Sequence, residues 1–182
     1  MRSAVAMIAA GLMVFVLAPR EAHAISSKTW DTGATAGALG VPLAAGIISL
    51  LRHDEPGAFQ LGFSYVATMG ATEGLKYSIN ETRPNGGKHS FPSGHAASAF
   101  AGAAYLMRRY GWKYGLPAEA ASILVGYARV HNDKHYWHDI LGSAVIAHIS
   151  AFLIAKPYSR VHVSLIADPA AKDYYVSASL RF

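Results

Sequence analysis

From Gly33 to Leu51 the chain runs nineteen residues without a charged side chain, and uncharged stretches recur from Gly57 to Thr72 and from Ile140 to Ala155. Segments of this length and polarity fold as helices, which satisfy their own backbone hydrogen bonds whether they end up in a protein core or in a bilayer. Gly33, Gly37 and Gly40 are spaced for close helix contact, and Trp30-Asp31-Thr32 offers N-caps for the first helix. Pro42 interrupts it and leaves open a division into two shorter helices. With 52% hydrophobic and 15% charged residues, the chain is more apolar than an average soluble domain, and its 182 residues suit one domain. There is no cysteine, hence no disulfide framework, thiolate nucleophile or cysteine metal site.

The second helix is expected from Gly57 to about Ser78, uncharged until Glu73 and Lys76 in its last turns, and a loop rich in breakers follows from Asn80 to Lys88. Ser93 caps a third helix that runs to about Arg109. A fourth starts after Pro117 and reaches about Val130, and a fifth runs from near His135 to about Ala155. The expected fold is therefore an all-α antiparallel bundle of about five helices. Short loops make neighbours alternate in direction, which gathers the end of the second helix, the start of the third, the end of the fourth and the start of the fifth at one end. Arg52, Arg108, Arg109, Lys113 and Lys156 collect at the other, the bias of a cytoplasmic face. A transmembrane bundle is the favoured expectation, against a soluble periplasmic one. Ile140 to Ala155 is sixteen residues, whereas a span wants about 20, and Glu119 interrupts the fourth helix.

Residues 1–24 read as a secretory signal, with Arg2 before an apolar core from Ala4 to Ala18 and Ala22-His23-Ala24 as the cleavage site. The helical domain is then 25–158, lying in the cell envelope with its site on the periplasmic side of the inner membrane. Residues 159–182 change period: Val161, Val163 and Leu165 alternate, Asp168-Pro169 turns, and Tyr174, Val176, Ala178, Leu180 and Phe182 alternate again, as in a β-hairpin. Five spans would place this tail across the membrane from the site. The Lys and Arg residues form no run and are not interleaved with stacking aromatics, so nucleic acid is not an expected partner; a membrane and a phosphorylated lipid are.

Phe91-Pro92-Ser93-Gly94-His95 leads into the small apolar run Ala96 to Met107, so the N–H groups of Gly94 and His95 face out of a helix N-terminus, an anion-binding end. Lys76, followed after six residues by Arg83-Pro84, and Arg129, followed by His135 and Asp139, reach the same end. Arg83 and Arg129 can each grip two phosphate oxygens, while Lys76 acts as a point charge. His135 and Asp139 are four apart, so a carboxylate on one imidazole nitrogen leaves the other free to attack phosphorus.

These three motifs, in order from Lys76 to Asp139, resemble the type 2 phosphatidic acid phosphatase superfamily, which also includes bacterial non-specific acid phosphatases and vanadium haloperoxidases. The resemblance implies that His135 is the nucleophile of a phosphohistidine intermediate, that His95 protonates the leaving alkoxide and then activates water, and that Lys76, Arg83, Ser93, Gly94 and Arg129 bind the phosphoryl group. It implies no metal and no cofactor; vanadate could occupy the phosphate site as an inhibitor. One departure is Ala128, where the family usually has Ser. The expected activity is hydrolysis of a phosphomonoester or diphosphate on a lipid. Competing readings are a periplasmic non-specific acid phosphatase, a vanadium-dependent haloperoxidase, a non-catalytic anion sensor, and a metal site on the stripe His131, His135, Asp139 with His138 nearby. The sequence does not choose among lipid substrates, and it carries no sign of oligomeric state.

Overall fold

The computed structural model describes residues 26–158, 161–168 and 173–180; the expected signal segment lies outside them. Five helices follow in order: α1 (Ser27–Leu51), α2 (Glu55–Ile79), α3 (Gly94–Tyr110), α4 (Trp112–His131) and α5 (Trp137–Ile154). In the tail, β1 (Val161–Asp168) pairs antiparallel with β2 (Asp173–Leu180), Val161 opposite Leu180 and Asp168 opposite Asp173.

The bundle is built around α3, which packs against all four other helices. Its composition permits this. Ala96, Ala97, Ala99, Ala101, Ala103 and Ala104 are buried, and a helix surfaced with methyl groups lets its neighbours approach closely. A Cβ on Gly102 would lie 2.7 Å from the backbone of Pro42, so α1 and α3 touch main chain to main chain at that level. Of the three glycines expected to make close contact on α1, only Gly37 does so, against Val125 of α4; Gly33 and Gly40 have open space where a side chain would go.

α1 is one helix, not two. Pro42 lies inside it and has no N–H, which leaves the carbonyl of Ala38 without its usual partner. The hydroxyl of Ser98 on α3 donates to that carbonyl at 2.6 Å, and Tyr65 Oη lies 2.9 Å from the same hydroxyl. A neighbouring helix thus supplies the hydrogen bond the proline removes, and α1 runs through. It also begins earlier than expected, at Ser27, because Ser26 accepts from the N–H of Thr29. The fourth helix starts at Trp112 instead of after Pro117. Gly111, with φ of +82°, closes α3 and opens α4 in one residue, so the connection expected between Arg109 and Pro117 shrinks to a single turn position.

Large side chains point outward. Leu39, Leu43 and Ile47 on α1, Phe59, Phe63 and Val66 on α2, and Leu141, Val145, Ile149 and Phe152 on α5 are exposed, each set at helical spacing, while the interior is mostly Ala, Ser and Gly. α1 and α5 are long and apolar enough to cross a membrane.

At the end opposite the motifs, Arg109 is buried and forms a bidentate pair with buried Asp54. Tyr110 donates to the same carboxylate at 2.7 Å, and Arg109 also donates to the carbonyl of Lys156. Arg109 is therefore not a free surface cation, contrary to its expected place in the basic face. The charge on that face falls to Arg52, Arg108, Lys113 and Lys156, with Arg52 over the rings of Tyr110 and Tyr114.

Candidate active site

The N-terminal turns of α1, α3 and α5 and the C-terminal turns of α2 and α4 meet at one end, and the motif residues lie there. Ser93 is the N-cap of α3, fully buried, its hydroxyl 3.5 Å from the N–H of Ala96. Ser143 holds the Ser93 carbonyl at 2.9 Å and so ties this turn to α5. Lys76, near the end of α2, places Nζ 3.5 Å from where a Cβ on Gly94 would sit, which brings the ammonium to the first turn of α3. A methyl group at position 94 would meet it in ordinary van der Waals contact.

His135 was expected to open the fifth helix. Instead α4 ends at His131, a short loop follows, and α5 begins at Trp137, so His135 lies in the loop. Asp139 is the third residue of α5, and one oxygen, Oδ2, accepts three hydrogen bonds: from His135 Nδ1 at 3.1 Å, from the N–H of Tyr136 at 2.9 Å and from Ser90 Oγ at 2.5 Å. The carboxylate therefore caps α5 and orients His135 with the same atom. With Nδ1 engaged, Nε2 carries the available lone pair. His135 is 2% exposed and Asp139 0%, so the pair works in a dry environment where its electrostatics are strong.

Burial holds the His135 imidazole below its ordinary pKa, and Arg83 and Arg129 lower it further, while Asp139 opposes them. Both guanidinium groups are thus near enough to disfavour a proton on His135. Each also keeps a buried Nε with no hydrogen-bond partner among the described residues. Unsatisfied buried guanidinium donors beside a helix N-terminus are suited to an anion. His95 and Arg129 line an open cleft of about 620 Å³ with Asp31, Thr32, Thr35, Ala36 and Leu39. Thr35 Oγ1 is 3.3 Å from His95 Nε2.

Asp31 escaped the sequence reading, which gave it only a capping role. It sits in the second turn of α1 and accepts from Arg129 at 2.7 Å, with Lys134 3.9 Å away. A signal was present: Asp31 is the one acidic residue between Ile25 and Leu51. Ser90, the hydroxyl partner of Asp139, was likewise missed. The metal stripe weighed for His131, His135 and Asp139 does not form. The loop breaks the helix it needs, and His131 is exposed, its ring beside Trp30 and Tyr127. Ala128, the departure from the family pattern, packs in an apolar cluster with Ala34, Ala38, Ala99, Ala103 and Val125.

The PAP2 superfamily profile matches residues 57–161, more than half of the chain, and spans all three motifs. The chain belongs to the PAP2 superfamily. Among curated relatives, this PAP2 chain is 31% identical to a lipid A 4'-phosphatase of Helicobacter pylori over 130 residues, 65% of this chain and 66% of the relative. It is 34% identical to undecaprenyl-diphosphatase BcrC of Bacillus subtilis over 83 residues, 45% of this chain and 42% of the relative. The chain thus spans less than two thirds of the length of these relatives. In fold it is similar to the crystal structure of Aquifex aeolicus LpxE, with a TM-score of 0.62 and 22% identity, covering 78% of this chain and 92% of the other. The transmembrane PAP2 type phosphatidylglycerolphosphate phosphatase of Bacillus subtilis gives a TM-score of 0.59 at 18% identity, covering 85% of each chain.

Proposed function

We propose that this PAP2 protein is a membrane-embedded phosphatase that hydrolyses a phosphomonoester or diphosphate on an envelope lipid through a phosphohistidine on His135. The observation that carries the reading is the buried His135–Asp139 pair, with Arg83 and Arg129 bearing on it through their charge and each keeping a buried Nε donor without a partner among the described residues. A phosphoryl group in transfer spreads negative charge over its equatorial oxygens, so catalysis is chiefly positioning and electrostatic stabilisation. Arg83, Arg129, Lys76 and the α3 terminus at Ser93 and Gly94 supply that charge. His135 Nε2 attacks phosphorus, and the lipid alkoxide, or the lipid monophosphate where the substrate is a diphosphate, leaves with a proton from His95. His95 then takes a proton from water, which attacks the phosphohistidine, frees inorganic phosphate and returns His135 to its starting state. No metal enters these steps.

Two features support a lipid substrate in a bilayer. Soluble monomers rarely expose apolar patches beyond a few hundred Å², whereas here Leu, Ile, Phe and Val project outward along three helices over a core of small residues. The matched relatives are also named for lipid phosphates and diphosphates. The cleft beside α1, lined by the apolar Ala36 and Leu39 as well as by His95 and Arg129, suits an apolar chain ending in phosphate. In orientation, the motif end faces the periplasm and the end bearing Arg52, Arg108, Lys113 and Lys156 faces the cytoplasm.

The test is phosphate release by detergent-purified protein, in chelator, from phosphatidic acid, phosphatidylglycerol phosphate, an isoprenyl diphosphate, lipid A and one soluble phosphomonoester. Release from at least one lipid, exceeding that from the soluble ester, is the expected outcome. Preference for the soluble ester would replace this reading with a non-specific acid phosphatase. No release from any of them would remove the hydrolase assignment.

A further inference from the structure

One oxygen of Asp139 is left over. Oδ2 takes three donors, but Oδ1, on a fully buried side chain, has no hydrogen-bond partner among the described residues. It points to the side of the carboxylate away from His135, where Glu81 and His138 meet it. His138 Nε2 lies 3.1 Å from Asp139 Oδ1 without the alignment of a hydrogen bond, and 2.9 Å from Glu81 Oε1. The three potential ligand atoms are all within 4.8 Å of one another.

Two carboxylates facing each other at this range call for positive charge between them. One imidazole nitrogen can direct one proton to one of them, and here the alignment favours Glu81, so Oδ1 stays unsatisfied. A divalent cation would satisfy all three groups at once. Ligands about 2.0 to 2.2 Å from a tetrahedral zinc ion are roughly 3.4 Å apart, close to the 2.9 and 3.1 Å that separate His138 Nε2 from the two carboxylate oxygens. The set is one nitrogen and two carboxylate oxygens. His138 is half-exposed, which leaves a fourth position for water, and its ring is held by stacking on Tyr136 at 5.2 Å and on Phe91 at 6.2 Å. Glu81 comes from the segment after α2 and the other two from α5, so an ion here would also cross-link two walls of the site.

We propose that Glu81, His138 and Asp139 form an inhibitory divalent-cation site of the zinc type, set on the outer oxygen of the carboxylate that orients His135. Its inhibitory sense rests on the phosphatase reading; the site itself does not. An ion on Oδ1 draws negative charge away from Oδ2, and that charge stabilises the cationic imidazole formed when His135 is phosphorylated. Binding therefore slows the nucleophilic step without touching the phosphate cage. Glu81 and His138 take no part in catalysis, which separates control from chemistry.

The experiment uses the full chain in detergent, stripped with chelator, and has two readouts. Zinc binding is measured without substrate by competition with a chromophoric chelator. One equivalent is expected for the wild type, with affinity reduced at least about tenfold in Glu81→Gln and in His138→Asn. Hydrolysis of a lipid phosphate is then followed against added zinc. Glu81→Gln should match the wild-type rate in chelator and need at least about tenfold more zinc for half inhibition. Failure of the wild type to bind one equivalent would overturn the site, as would equal binding or equal inhibition in wild type and Glu81→Gln. If the wild type binds zinc as expected yet hydrolyses nothing in chelator, the site stands and the phosphatase reading falls.

Discussion

Asp139→Asn isolates the charge that the active site places behind its histidine. The replacement keeps the shape of the side chain, and its amide oxygen can still accept from Ser90 and from the N–H of Tyr136, so α5 stays capped. What disappears is a full negative charge 3.1 Å from His135 Nδ1. In the proposed mechanism the imidazole becomes cationic as Nε2 bonds to phosphorus, and a carboxylate about 4 Å from that charge is worth about 4 kcal/mol at an effective dielectric of 20. At about 1.4 kcal/mol per decade this amounts to roughly three orders of magnitude in rate. The amide dipole and nearby water recover part of it, so a fall of about 10²- to 10³-fold in kcat is expected, with little change in KM. The assay is steady-state phosphate release by wild type and variant in the same detergent, with thermal unfolding as a check on folding. A folded variant within tenfold of wild type would refute the argument, because the charge would then be doing little for His135.

Three further outcomes follow from the geometry. Ser98→Ala removes the donor to the carbonyl stranded by Pro42 and should cost about 1–3 kcal/mol, seen as a lower Tm with kcat retained below the transition. Asp54→Asn breaks a buried ion pair far from the motifs and should cost about 3–5 kcal/mol by the same measurement; Asp54→Asn with Arg109→Met should recover part of that, since no lone buried charge remains. With His135 as the proposed nucleophile, the pH dependence of kcat/KM should follow it: its lowered pKa keeps the imidazole neutral at pH values below the ordinary 6.5, so the acid limb should fall below 6.5, and Arg83→Gln, which removes a repelling charge, should move that limb upward.

The sequence made legible what spacing and charge can express. The uncharged runs announce helices, the alternation of helix direction gathers Lys76, His95, Arg129 and His135 at one end, and the apolar composition announces a helical bundle. Other features depend on partners distant in the chain. Whether Pro42 splits α1 is decided by Ser98, 56 residues later. Whether Arg109 is a surface charge is decided by Asp54, which no local pattern links to it. The start of α4 turned on Gly111, whose positive φ lets one residue end one helix and begin the next, a conformation that composition does not announce. His135 and Asp139 met for a different reason than helical periodicity. His135 approaches from a loop while Asp139 caps the helix, so their contact arises at a helix start and not along a helix face.

The central claim is the covalent intermediate on His135, and the most direct test is to trap it. Wild type, His135→Ala and His95→Asn are mixed with a lipid substrate carrying a labelled phosphoryl group and quenched in denaturant at alkaline pH, and the label on protein is counted and mapped. The account predicts an acid-labile, alkali-stable label on His135 in the wild type and its retention for longer in His95→Asn, where water is no longer activated. His135→Ala should carry no label and release no phosphate. Turnover or labelling that survives in His135→Ala would contradict it, because the nucleophile would then lie elsewhere.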